Sequence, residues 1–283
     1  MAPPRPIPVD TPADLPGGAE VPDGWDCHVH VFDADAPLAC PGHYRPATRT
    51  VGEIEALAAL HGIGRLVLVQ PSVYGTDNRL LRAALRRAPG RHRGVAVIDE
   101  AQADDALLDA MHAEGVRGVR FNLVSPVGRG PRDFQALAPR LRARGWHAQW
   151  YAAPEQLATV ARLHAGTGVA CVLDHLGGMH AEIDAGDAAW AALGAIADAG
   201  GWVKLSGWYR LRAAEPYGPL HARIQRVAEL FGAHCVWGSD WPHTCFAPEA
   251  MPAYASTLAP AVQALASGAM DRLLHAAPWA LYR

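Results

Sequence analysis

The sequence predicts an α/β chain closed into a single (β/α)8 TIM barrel. Three observations predict it. The length of 283 residues suits one such barrel. Eight short apolar, β-branched runs alternate at even spacing with stretches of helical periodicity, the pattern of a parallel sheet buried on both faces. The first strand is not followed by G-x-G-x-x-G, so an open dinucleotide-binding sheet loses its main support.

The first strand is read at Trp25–Phe32, and its period of two puts His28 and His30 on one face. A loop, Pro37–Arg49, carries His43, Tyr44 and Arg45. A helix over Val51–His61 follows, with Ile54, Leu57, Ala58 and Leu60 inward, ended by Gly62 and Gly64. Strand two is Arg65–Gln70, and Thr76-Asp77-Asn78 is set to cap a helix over Arg79–Ala88. Strand three is Gly94–Ile98, and the next helix runs from Asp104 or Asp105 to Ala113, closed by Gly115. Strand four is Val116–Asn122, with Arg120 and Asn122 on a shared face, and its helix is Asp133–Arg144. Strand five, Trp146–Tyr151, leads to a helix opened by Pro154 and reaching His164. Strand six, Val169–Leu173, runs into Asp174-His175-Leu176-Gly177, and a helix covers Asp187–Asp198. Strand seven is Trp202–Leu205, then a helix over Leu220–Phe231 and strand eight, Cys235–Gly238. Two helical stretches close the chain. Residues 1–22 read as a Pro-rich extended tail and 23–283 as the barrel.

Composition excludes several classes. A net charge of −3 gives no electrostatic footprint for nucleic acid or acidic lipid. No apolar run approaches a membrane span, and the N-terminus lacks the charged start and apolar core of a signal peptide. Five scattered cysteines without C-x-x-C point away from a disulfide framework or zinc knuckle, so a reducing, cytoplasmic setting is expected. Exposed tryptophans near the tail mark a candidate homodimer contact.

In such barrels the site lies at the C-terminal ends of the strands. Polar residues collect there: His28 and His30, Gln70 and Ser72, Arg120 and Asn122, Tyr151, Asp174 and His175, Lys204 and Ser206, Asp240 and His243. Imidazoles and carboxylates ringing one mouth point to an enzyme acting on a small molecule.

His28-Val29-His30, Asp174-His175-Leu176-Gly177 and Trp237-Gly238-Ser239-Asp240-Trp241-Pro242-His243 resemble the amidohydrolase superfamily, and more closely its 2-pyrone-4,6-dicarboxylate lactonase-like branch. Val69-Gln70-Pro71-Ser72-Val73-Tyr74-Gly75 and Gly115–Asn122 support this, and the matches run from Trp25 to Tyr282. The resemblance implies hydrolysis or isomerisation of carboxylated or sugar-acid lactones. Such chemistry needs an activated water, a polarised carbonyl and an anchor for acid groups. Asp240 is the candidate base, and His28, His30 and His175 are candidate donors to the carbonyl oxygen. Arg120 and Arg210 offer planar forks for carboxylates, with Tyr151, Ser72, Tyr74, Asn122 and Tyr44 as further substrate contacts.

One departure stands out. The branch carries basic residues soon after the strand-four Arg-Phe-Asn, where this chain reads Leu123-Val124-Ser125-Pro126-Val127-Gly128-Arg129. That favours a lactone with fewer charges than a pyrone dicarboxylate, unless Arg129 substitutes. Arg120 and Tyr151 stand where a binuclear amidohydrolase needs a carboxylated Lys or Glu and a His. A single divalent ion such as Zn²⁺ on His28, His30, His175 and Asp240 stays open stereochemically. The guanidinium at the same mouth and the resemblance both favour working without a cofactor. The alternatives are a metal-dependent decarboxylase, a lactone isomerase, and an inactive barrel that binds a carboxylated metabolite.

Overall fold

The computed structural model describes residues 22–39, 44–125, 127–244 and 246–283. The tail expected over 1–22, apart from Pro22, and Cys40, His43 and Cys245 lie outside these described residues. Strands β1 (Gly24–Val29), β2 (Ile63–Val69), β3 (Arg93–Ala96), β4 (Val116–Asn122), β5 (His147–Tyr151), β6 (Cys171–Leu173), β7 (Trp202–Leu205) and β8 (Cys235–Trp237) pair in parallel in sequence order. The ring closes between its two ends. The His30 amide donates to the Trp241 carbonyl and the Asp240 amide to the His28 carbonyl, both at 2.9 Å. Below them, the buried Asp26 carboxylate accepts from the Ser239 amide and from the Tyr254 hydroxyl, each at 2.9 Å, and clasps first strand to last.

Helices α1 (Val51–Ala59), α2 (Arg79–Arg87), α3 (Asp105–Glu114), α4 (Pro131–Ala143), α5 (Leu157–His164), α6 (Ala188–Asp198), α7 (His221–Phe231) and α8 (Tyr254–Ala264) cover the outside. Their ends follow from local chemistry. Thr50 and Glu53 form a reciprocal capping box on α1, and Asp104 and Asp187 accept from the first-turn amides of α3 and α6. Gly115, left-handed at φ 110°, stops α3. Asn78 does not cap α2 as expected. Its amide group instead pairs with both the amide and the carbonyl of Val97, tying the helix start to the strand-three loop. The helix expected from Pro154 begins as a 3-10 turn and becomes α-helical at Leu157. Strands one, three and eight end short of the expected residues at the mouth, where the chain leaves the ladder, while strands five and six begin later than expected.

Two apolar layers form. Trp25, Cys27, Val67, Val95, Val172 and Val236 fill the barrel interior, while Val29, Leu66, Leu68 and the inward helix faces fill the shell between sheet and helices. Trp25 is wholly buried and stacks on Tyr282, which overturns its place in a dimer contact; among the described residues Trp279 is the exposed tryptophan. Several others explain the tryptophan-rich composition. The indole N–H of Trp146 and Trp150 donates to His112 and His164, and those of Trp208 and Trp237 both reach the Thr257 carbonyl. Each supplies a large apolar body in the shell with its one polar atom satisfied. No helix among the described residues is long and apolar enough to cross a membrane.

Candidate active site

The first strand is what brings the histidines to the mouth. Trp25 and Cys27 face the interior and Asp26 faces α8, as alternation requires. A register shift against β2 between Asp26 and Val29 then resets the phase, so His28 and His30 both turn inward. Gly238 permits this, since a Cβ there would lie 2.5 Å from the His28 Cβ.

Two buried carboxylates flank His28. Its Nδ1 lies 3.2 Å from Asp174 Oδ1 and its Nε2 lies 3.6 Å from Asp240 Oδ1. The His30 Nδ1–H donates to the Val69 carbonyl at 2.7 Å, which leaves Nε2 facing Asp240 Oδ1 at 3.4 Å. His175 bonds Ser206 Oγ through Nδ1 at 3.0 Å and turns Nε2 to within 4.0 Å of Asp240 Oδ2. Asp240 Oδ2 accepts from Arg210 Nε and from the Tyr209 hydroxyl, both at 2.6 Å. His175 and Asp240 hold their rings and carboxylate there with left-handed backbone, φ 49° and 60°, a conformation unfavourable for side chains with a Cβ.

Electrostatics set the protonation states. Burial alone would raise the Asp240 carboxyl, but the Arg210 guanidinium outweighs it and holds it well below the usual range. Asp174 is likewise held low against its burial by His28, Lys204 and Arg120. Burial pushes His28 well down and His175 down to about 4, so both rings are neutral near pH 7. Neutral His28, with the Asp174 carboxylate favouring Nδ1–H, presents a lone pair at Nε2. The Val69 carbonyl imposes the same tautomer on His30 when that ring is neutral.

Beneath the cluster lies a fully buried cation, Lys204. Its Nζ donates to the Cys27 carbonyl at 2.8 Å and to Gln149 Oε1 at 2.7 Å, and lies 3.7 Å from Asp174 Oδ1. Gln149, the register partner of Arg120, donates to Asp174 Oδ2 at 3.1 Å, and Arg120 Nε reaches the same oxygen at 3.3 Å. Asp174 is therefore held on both oxygens.

The other residues anticipated from sequence divide. Arg120 and Arg210 both sit over the Tyr151 ring, at 5.8 and 5.9 Å, beside the cluster. Tyr44, 40% exposed, lies within the fields of Arg210, Asp240 and Arg120 at the rim. Asn122 donates to Ser72 Oγ, and its carbonyl oxygen accepts from the amides of Val124 and Ser125, so its side chain shapes the loop after β4. The Tyr74 hydroxyl is engaged with the backbone of Asp33, donating to its carbonyl and accepting from its amide. Arg129 pairs with Asp99 at 2.9 Å and Asp133 at 3.1 Å, which commits it to the start of α4.

The family model for amidohydrolases matches residues 25–283, the whole of this barrel. The chain belongs to the amidohydrolase family. It is 31% identical over 246 residues to a 4-sulfomuconolactone hydrolase of Rhizobium radiobacter, covering 84% of this chain and 80% of that one. It is 31% identical to a 2-pyrone-4,6-dicarboxylate hydrolase of Comamonas testosteroni, covering 81% of this chain and 78% of the relative. Among solved structures, a candidate 2-pyrone-4,6-dicarboxylic acid hydrolase from Pseudomonas putida superposes with a TM-score of 0.83 at 30% identity, covering 92% of this amidohydrolase and 97% of the other chain. Another, from Acinetobacter baumannii with citric acid bound, gives 0.79 at 25% identity, covering 92% of this chain and 99% of that one.

A single divalent ion fits the donor atoms of this amidohydrolase. His28, His30 and Asp240 offer ligand atoms within 4.8 Å of one another, and so do His28, Asp174 and His175. His28 Nε2, His175 Nε2 and Asp240 Oδ1 are buried without hydrogen-bond partners, as ligand atoms would be. The set of four read from sequence is thus two overlapping triads that share His28, with Asp174 in the second. Tyr209 and Gln149 are the neighbours that the sequence reading missed, while Ser206 and Asp174 were read at the mouth without a role. The parity of β6 places Asp174 with Val172 in the interior, and that was the signal available for it.

Proposed function

We propose that this amidohydrolase opens a carboxylated lactone, with Asp240 as the base that takes a proton from water. The observation that carries the reading is the placing of one ionised carboxylate, Asp240, among three imidazoles with two guanidinium groups at the same mouth. Relatives named for lactone hydrolysis, and one that holds citric acid, support a carboxylated cyclic ester.

In the proposed reaction the water oxygen attacks the lactone carbonyl as its proton passes to Asp240. The ring C–O bond then breaks, and that proton goes on to the leaving oxygen, giving an open-chain acid. His175, whose Nδ1 can accept from the Ser206 hydroxyl, has Nε2–H to offer the carbonyl oxygen. Neutral His28, as the tautomer described above, accepts the water's second proton in a hydrogen bond rather than donating to the carbonyl, and His30 flanks Asp240 Oδ1. Arg120 and Arg210 hold the substrate carboxylate, flanked by Tyr151. Asn122 and Tyr74 shape the loops around the substrate, and Ser72 buttresses Asn122.

The reaction so described needs no metal. Arg210 on Asp240, and Arg120 and Lys204 on Asp174, already supply positive charge around both carboxylates, which opposes a dication. A second form of the same reaction is favoured by the unpartnered Nε2 atoms. In it His28, His30 and Asp240 would hold one divalent ion, with His175 near. Such an ion supplies carbonyl polarisation and a more acidic water.

The test is a panel of carboxylated and neutral lactones assayed with wild type and Asp240→Asn. The substitution is expected to lower turnover by about 10²–10⁴-fold with the fold intact. Near-wild-type turnover in the variant would remove Asp240 from the role.

A further inference from the structure

The base proposed for lactone opening is capped on one oxygen, Oδ2, while Oδ1 carries no hydrogen bond. Asp240 Oδ2 already accepts two hydrogen bonds, from Arg210 Nε and the Tyr209 hydroxyl, both at 2.6 Å. Its Oδ1 faces His28 and His30 at 3.6 and 3.4 Å. Arg210 is thus asked to do two things, hold the substrate carboxylate and hold the base.

We propose that Arg210 is a specificity-determining latch: paired with Oδ2 it keeps Asp240 a weak base, and a carboxylate on the substrate draws the guanidinium away, so that Asp240 becomes strong enough to take the proton of the attacking water. The proposal rests on the lactonase reading and goes beyond it, because it makes the substrate's own negative charge a condition for turnover as well as for binding.

Four features carry it. The side chain of Arg210 is 18% exposed and that of Asp240 is 0% exposed, so an incoming anion meets the guanidinium first. Arg210 stands on a short turn, Trp208–Arg210, that projects from the end of β7 rather than from a rigid strand. Its guanidinium lies 5.0 Å from the Tyr209 ring and 5.9 Å from the Tyr151 ring, aromatic faces that favour a cation beside Asp240. Arg120 shares the Tyr151 ring, at 5.8 Å, but differs otherwise. It lies on β4, its side chain is 6% exposed, and its Nε pairs with Asp174 rather than with the base.

The exchange trades one carboxylate for another on the same guanidinium, so charge is conserved. Tyr209 stays on Oδ2 and keeps the Asp240 carboxylate oriented. The freed Oδ2 position accepts the proton of water as its oxygen bonds the lactone carbon. The ring C–O bond breaks, and the proton passes from Asp240 to the leaving oxygen. A neutral lactone brings nothing to exchange, and the cap stays on.

The experiment compares a carboxylated lactone with its carboxamide, using wild type, Arg210→Ala and Arg210→Gln. Wild type is expected to prefer the acid by roughly 10²-fold in kcat/KM, with part of the preference in kcat, because a charge-assisted contact differs between the two. Both variants should lose the acid preference to within about tenfold, and their kcat on the carboxamide should rise several-fold over wild type as the cap is removed. Equal losses on both substrates would overturn the latch and leave Arg210 as a group that merely positions Asp240. Absence of turnover on every lactone by wild type would overturn the lactonase reading and the latch with it. A crystal structure of wild type with the ring-opened acid gives a readout independent of the variants. Arg210 should contact the product carboxylate and no longer contact Asp240, and a retained contact refutes the exchange.

Discussion

Gly207 is a sharp test of how the mouth is built. It is left-handed at φ 60° and leads from β7 into the turn that carries Arg210. A Cβ there would lie 2.3 Å from His175 Nδ1 and 2.8 Å from Cγ. Gly207→Ala therefore carries two penalties. The left-handed backbone costs a side chain with a Cβ about 1–2 kcal/mol. Relieving the clash in a packed interior adds about 1–3 kcal/mol. The imidazole must retreat by about 1 Å to reach ordinary contact, which breaks its bond to Ser206, and such a displacement at a reacting centre can lower the rate by ~10²-fold. Gly200→Ala is the control. Its φ of 79° is also left-handed, yet nothing lies within 4 Å of the added carbon. The assay is kcat/KM on a carboxylated lactone alongside thermal unfolding of both variants. Gly207→Ala is expected to lose ~10²-fold in activity and roughly 5–15 °C in Tm. Gly200→Ala should lose a few degrees and no activity. Activity within threefold of wild type in Gly207→Ala would refute the placing of His175 at the reacting centre.

The remaining predictions follow the charges. Arg120→Lys should raise KM for a carboxylated lactone by about tenfold or more, because an ammonium cannot serve Asp174 and a substrate carboxylate as a planar fork does; an unchanged KM would remove Arg120 from substrate binding. On acidification, His175 and His243, both pushed down to about 4, and His147, pushed to about 3, bind protons later in the folded than in the unfolded chain. Their contribution to stability is lost as pH falls from 6.5, the low-lying Asp174 and Asp240 add a further loss below the ordinary carboxylate range, and Asp26, raised to about 6, offsets part of it. Tm should therefore fall between pH ~6.5 and ~4 while kcat/KM of the folded enzyme stays level for a substrate that remains ionised, since Asp240 is already ionised in the free enzyme; a rise in kcat/KM through the ordinary carboxylate range would contradict its pairing with Arg210. Prolonged chelation should leave lactone hydrolysis intact, and loss restored by Zn²⁺ or Mn²⁺ would convert His28, His30 and Asp240 into ligands.

The sequence carried the barrel because strands buried on both faces are written as apolar runs, and each run from β1 to β8 overlaps its expected segment. It carried the strand ends that face the mouth for the same reason, since His28, His30, Arg120 and His175 break those runs at their C-terminal ends. The partners of these residues are long-range and were not legible. Nothing local says that Arg210 pairs with Asp240, or that Lys204 and Gln149 hold Asp174 from below. Asn122 and Tyr74 look alike as substrate contacts until the loops that consume their hydrogen bonds are folded around them. The phase reset within β1 also leaves no mark in composition. Strict alternation from Trp25 would have placed His28 outward beside Asp26.

The seam between β1 and β8 has a consequence for how the protein comes alive. Asp26 and Ser239 are 213 residues apart, and the two histidines of β1 meet Asp240 across the junction that they help to close. A half-barrel or a nascent chain that stops before residue 240 contains the imidazoles without the base. Catalytic competence is thus acquired late and all at once, with ring closure. Regain of turnover during refolding would report that event, while helix content recovers earlier from local contacts. Cutting the chain at an exposed outer loop should preserve the site, provided the two pieces stay together and the clasp at Asp26 can still form.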